Sequence, residues 1–147
     1  MNSGVLFVSP YQRDARTLAQ MLDGSPFLIV HASCLKDASN KMETGSFQVI
    51  LSEADLEDGN WMDALRLARR SGAELVVTHP WADASFWAEA MNLDTYDLLA
   101  QPFQRTEVSR VLASAVGAQR SVVESAAWPD KFGQTINSPA RVPRAFR

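Results

Sequence analysis

The chain has 147 residues, 46% of them hydrophobic and 21% charged, with a formal net charge of −3. That composition suits one globular domain with a core of its own, and no apolar run approaches the ~20 residues needed to span a bilayer. The single cysteine, Cys34, excludes an internal disulfide and reads as a helix-start or core residue rather than a nucleophile. Met1-Asn2-Ser3-Gly4 carries no basic segment of the kind that opens a signal peptide, so a cytoplasmic location without membrane contact is expected. Charge is uneven: residues 1–117 sum to −6 and residues 118–147 to +3. An acidic domain with a mildly basic tail is a poor match for a phosphate backbone, and nucleic acid is not expected as a partner.

In chain order, Val5-Leu6-Phe7-Val8 reads as a first, central strand. Ser9-Pro10-Tyr11-Gln12 then reads as a helix start, with Ser9 as the cap, Pro10 in the first helical position and Gln12 at capping-box spacing. That helix places Tyr11, Ala15, Leu18 and Leu22 on its apolar face, with Arg13, Asp14 and Gln20 turned outward. Phe27-Leu28-Ile29-Val30 predicts a second strand, and a helix follows over about 33–43.

The stretch from Phe47 to Gly59 carries the most information. Val49-Ile50-Leu51 is short and β-branched, as a strand buried on both faces should be, and it ends in a run of acidic and small residues. Glu53 therefore sits at the carboxyl end of a strand, where open α/β sheets gather ligands and chemistry. A third helix begins near Asn60, with Trp61, Ala64, Leu65 and Ala68 inward and Arg66, Arg69 and Arg70 near its carboxyl end, where cations suit the dipole.

Glu74-Leu75-Val76-Val77-Thr78 predicts the fourth strand. His79-Pro80 makes a turn, and an aromatic helix runs from Ala82 to about Met91. A helix cannot bury Phe86 and Trp87 equally, because adjacent residues point about 100° apart. Tyr96 to Ala100 is the fifth strand, and Val108, Val111, Leu112 and Ala115 form the inward face of the last helix. After Gly117 the periodicity stops, which predicts a domain over 1–117 and a flexible tail over 118–147. Five such units with short links imply a parallel sheet covered by helices on both faces.

This order, with Leu56-Glu57-Asp58-Gly59 after the third strand and Gln101-Pro102-Phe103 after the fifth, resembles the receiver domain of two-component response regulators. The resemblance covers residues 4–117. It implies a flavodoxin-like (βα)5 three-layer α/β sandwich with strand order 2-1-3-4-5 and a cis peptide before Pro102. By the same resemblance Glu53 falls at the phosphoacceptor position, and Ser9 and Pro10 replace the acidic pair that helps hold magnesium. Gln101 replaces the lysine that pairs with the phosphoryl group, Thr78 retains the hydroxyl, and Leu98 takes the aromatic switch position. The chain thus reads as a degenerate receiver, or pseudo-receiver.

Phosphoryl transfer to a carboxylate needs positive charge around phosphorus, and Ser9, Pro10 and Gln101 remove both sources of it. The expectation is a non-enzymatic signalling module, without cofactor or metal, that acts through protein–protein contact rather than the phosphorelay. Its partner is a signalling protein or a second copy in a homodimer. The resemblance implies an interface on the face of the fourth helix, fifth strand and fifth helix, which here holds Trp81, Phe86, Trp87, Met91 and Tyr96, and exposed aromatics there suit a contact surface. Glu53 is either a solvated loop-end carboxylate or a side chain long enough to reach Thr78 or Gln101 and imitate a phosphorylated aspartate. Two alternatives stay open: phosphorylation at an atypical acid (Glu53, Asp55 or Asp58), and a small-molecule-binding flavodoxin-like domain.

Overall fold

The computed structural model describes residues 3–80, 84–93 and 95–126, the last seven of these by backbone alone. Strands β1 (Ser3–Val8), β2 (Phe27–Ala32), β3 (Val49–Glu53), β6 (Glu74–His79) and β7 (Asp97–Ala100) form one sheet in the order β2-β1-β3-β6-β7. Every pairing in it is parallel. Counted without the short β4 and β5, this is the expected 2-1-3-4-5 order of a flavodoxin-like fold. β4 (Asp55–Leu56) and β5 (Gly59–Asn60) are a two-residue antiparallel hairpin inside the segment after β3, where the sequence suggests only a loop.

Side chains alternate across each strand and so divide between two cores. Val5, Phe7, Val49, Leu51, Val76 and Leu99 face helices α1 (Gln12–Met21) and α5 (Arg105–Ala126). Leu6, Val8, Ile50, Leu75, Val77 and Leu98 face α2 (Leu35–Thr44), α3 (Trp61–Ser71) and α4 (Ala84–Asn92). Leu98 is thus a buried core residue on the α2–α3–α4 side.

Helix starts follow local chemistry. Asn60 and Asp63 form a reciprocal capping box on α3, and Gly72 ends that helix in a left-handed turn. Cys34 is the N-cap of α2, where its sulfur accepts from the Asp37 amide. That helix gains a second cap from far along the chain: the Asp58 carboxylate accepts from the amides of Leu35 (2.9 Å) and Lys36 (3.0 Å). These bonds, with that from Leu35 foremost, hold the Asp58 carboxyl below its ordinary range. Asp58→Ala should lower the unfolding free energy by about 1 kcal/mol, the usual cost of a lost cap. Urea denaturation reads this directly, and Asp58→Asn should lose less.

Two expectations about helix ends are corrected. Ser9 does not cap α1: the N-cap is Tyr11, with no side-chain cap bond, and α1 starts at Gln12. Ser9 instead continues the alternation of β1 and is fully buried, while Tyr11, in extended backbone, is 60% exposed rather than on the apolar face. At the other end, α5 continues past Gly117 to Ala126. An interior glycine costs a helix only about 1 kcal/mol, and neither glycine nor proline lies in 118–126. Residues 127–147, the rest of the expected tail, lie outside the described residues.

Candidate functional site

Strand alternation builds the site. Ser9, Glu53, Thr78 and Gln101 each stand two residues beyond a strand residue of the α1–α5 core: Phe7, Leu51, Val76 and Leu99. Period two therefore brings all four to the same face, at the carboxyl end of the sheet. Register completes the arrangement, since Glu53 pairs directly with Thr78, and Val8 with Ser52. The structure thus gathers four positions that lie 92 residues apart in sequence at their extremes, between Ser9 and Gln101.

Glu53 is 5% exposed, which overturns the solvated alternative. Its Oε2 accepts from Gln101 Nε2 at 3.0 Å and from Ser9 Oγ at a long 3.5 Å. The same Gln101 nitrogen donates to Thr78 Oγ1 at 3.0 Å, and Thr78 Oγ1 donates to the Leu99 carbonyl at 2.9 Å. Ser9 Oγ also accepts from the Tyr11 amide, and the Ser9 carbonyl meets His31 Nε2 at 2.7 Å. A single primary amide with two hydrogens therefore bridges the end of β3 to the end of β6. The Gln101–Pro102 peptide that presents this amide is cis.

Burial pushes the Glu53 carboxyl from its ordinary 4.5 up to about 7. The bonds from Gln101 and Ser9 oppose the rise, whereas the carboxylates of Asp14 and Asp55 add to it. Asp14 is the residue that periodicity misplaced, since it is half-buried and its charge acts on Glu53. The usable signal was its spacing of four from Leu18, which puts both on one line of α1. Asp55 is exposed beside His79, with Nε2 and Oδ2 3.8 Å apart, and Asp58 is turned away to cap α2.

Receiver folds commonly hold magnesium here, and these residues do not fit it. The ion favours one or two carboxylates in octahedral geometry. Ser9 supplies only a hydroxyl already engaged on both sides, Pro10 has no side-chain donor atom, and Glu53, the one carboxylate among the four positions, has its Oε2 taken by Gln101. Among the described residues no group of three or more His, Cys, Asp or Glu is placed to hold a metal.

The candidate interface divides. Trp87 is 37% exposed, whereas Phe86 and Met91 are half-buried against the α2–α3–α4 core; Leu93, which is not among the expected interface residues, is 40% exposed. Phe86 stacks edge-on against Trp61 at 6.0 Å and tilts over His79 at 5.0 Å. Tyr96 is buried in the opposite core, its hydroxyl bonded to Ser114, and so is a packing residue rather than a surface one. Trp81 lies outside the described residues.

No family model and no curated protein matches the chain. Solved structures do. The signal receiver domain of an HD domain-containing protein from Pseudomonas fluorescens Pf-5 superposes with a TM-score of 0.73 at 19% identity, covering 82% of this chain and 99% of that one. A CheY-like response regulator receiver domain from Methanospirillum hungatei JF-1 gives 0.72 at 15% identity, over 82% and 98%. A response regulator receiver domain from Clostridium thermocellum gives 0.72 at 14% identity, over the same shares. The fold is that of response-regulator receiver domains. Among the described residues no helix is long and apolar enough to cross a membrane.

Proposed function

We propose that this chain is a receiver-like signalling module that is non-catalytic, is not switched by the phosphorelay, and acts through protein–protein contact. The observation that carries this reading is the Gln101 amide joined at 3.0 Å to both Glu53 and Thr78. In receivers the corresponding acceptor, hydroxyl and lysine are drawn together around a phosphoryl group; here a longer acid and a neutral amide close the same gap directly. A carboxylate acting as a phosphoryl acceptor must be ionised and must share its site with positive charge. Glu53 is held partly protonated at neutral pH, and the charges acting on it are those of Asp14 and Asp55.

With the site closed, the surface is left to carry the signal. Trp87 and Leu93 give the α4 side an apolar, aromatic contact of the kind enriched at interfaces. The reading is tested by incubating the protein with acetyl phosphate and magnesium and measuring the intact mass. An unchanged mass is expected, and a gain of one phosphoryl group at Glu53, Asp55 or Asp58 overturns the proposal.

A further inference from the structure

A second surface lies on the same side of the sheet as α4, further along the helical layer. Between α2 and α3 runs an open groove of about 720 Å³, whose lining includes the apolar side chains of Leu35 and Leu67. Lys36 from one helix and Arg66, Arg69 and Arg70 from the other also line it. Two carboxylates share the lining, but both are committed. Asp58 holds the first amides of α2, and Asp63 holds the Asn60 amide and Arg66. Arg69 reaches the Leu93 carbonyl, and among the described residues Lys36 and Arg70 have no ion-pair partner. On a domain whose residues 1–117 sum to −6, this is a local reversal of sign.

We propose that the α2–α3 groove docks an acidic segment of a partner protein. The spacing of the cations selects a polypeptide over a lone phosphate. A phosphate needs donors converging within about 3 Å of one point. Here the four cations are exposed and divided between two helices, Lys36 on α2 and Arg66, Arg69 and Arg70 on α3. Arg66 and Arg70 are one helical turn apart, about 6 Å along the axis. Carboxylates on one side of an extended chain recur every ~6.6 Å, and those one turn apart on a helix about every 6 Å. Apolar side chains between the acids can meet Leu35 and Leu67. The cations at the end of α3 also complement its dipole; that local role accounts for Arg69 and Arg70 but not for Lys36 on the facing helix.

The test uses the full chain and a short fluorescein-labelled peptide alternating glutamate with leucine, read by fluorescence anisotropy. A glutamine-for-glutamate peptide of equal length is the control, and inorganic phosphate at matched ionic strength is the competitor. The acidic peptide should bind more tightly than its neutral control and lose affinity with added salt. Lys36→Glu combined with Arg70→Glu should weaken it by about tenfold or more, and the paired glutamine substitutions by less. These positions spare Arg66 and Arg69, which have structural partners, and circular dichroism confirms that the variants fold. Equal binding of acidic and neutral peptides, equal binding by wild type and the reversed variant, or displacement by phosphate at matched ionic strength would each sink the proposal. Glu53→Gln should leave peptide affinity unchanged, so the result is independent of the state of the Glu53 site.

Discussion

Replacing Phe7 with alanine is expected to lower the unfolding free energy by about 3–5 kcal/mol, the range for a fully buried aromatic. Phe7 is 0% exposed in the middle of the sheet. Its ring meets Phe103 edge-on at 6.1 Å and His31 at 6.3 Å. The substitution removes the side chain's transfer energy and leaves a cavity that β1, paired on both sides, cannot close. A domain of this size has about 5–15 kcal/mol in hand, so the variant is expected near its folding limit; Phe7→Leu, which keeps most of the volume, should lose less than about 1.5 kcal/mol. Phe103→Ala should fall between, because that ring is already half-solvated. Guanidinium denaturation tests the ranking through the shift in midpoint at constant slope. Equal losses for Phe7→Ala and Phe7→Leu would show that this core relaxes around the cavity.

The same contact reaches the Glu53–Thr78–Gln101 cluster. Phe103 follows the cis Gln101–Pro102 peptide, so the Phe7–Phe103 pair anchors the segment that presents the bridging amide. Packing on the α1–α5 side and the hydrogen bonds among Glu53, Thr78 and Gln101 thus form one continuous structure. The closed site is held by the core beneath it as well as by its own polar contacts.

The three inner strands were the most legible, because strands buried on both faces are written as uninterrupted apolar runs. Val5–Val8, Val49–Leu51 and Leu75–Val77 allow no other reading once short turns bound them. Their alternation also fixes Ser9, Glu53, Thr78 and Gln101 on one side, although that follows only when strand ends are known to the residue. The start of α1 misled because Ser-Pro-x-Gln satisfies the rules for a cap while Ser9 also satisfies the parity of β1, and burial in the sheet prevailed. Asp58 was illegible for another reason: its partners, Leu35 and Lys36, lie 23 and 22 residues away, and no local pattern encodes that reach. Asp14 was lost by treating every charged residue of α1 as outward, although one helical line carries both it and Leu18.

The burial of Glu53 gives the largest expected effect of pH. Its carboxyl ionises at 4.5 in a solvated chain and at about 7 in the fold. Between those values the folded protein binds more protons than the unfolded one, so stability falls as pH rises. The contribution is fully present below about pH 4.5 and is lost once the pH has passed about 7. At 1.36 kcal/mol per unit, the whole interval amounts to roughly 3 kcal/mol. Glu53→Gln keeps an acceptor for Gln101 and removes the charge, so the variant should match the wild type near pH 5 and exceed it by about 2–3 kcal/mol at pH 8. Other titrating groups cancel in the difference between the two proteins. Parallel stability curves from pH 5 to 8 would mean that Glu53 ionises as freely in the fold as in the unfolded chain, and that burial does not hold its charge in check. A divergence of the expected sign shows that burial outweighs the Gln101 and Ser9 bonds, which by themselves favour the ionised acid. In that case the site holds its fixed state by hydrogen bonding and burial, without the concentrated negative charge on which a phosphorylated aspartate depends.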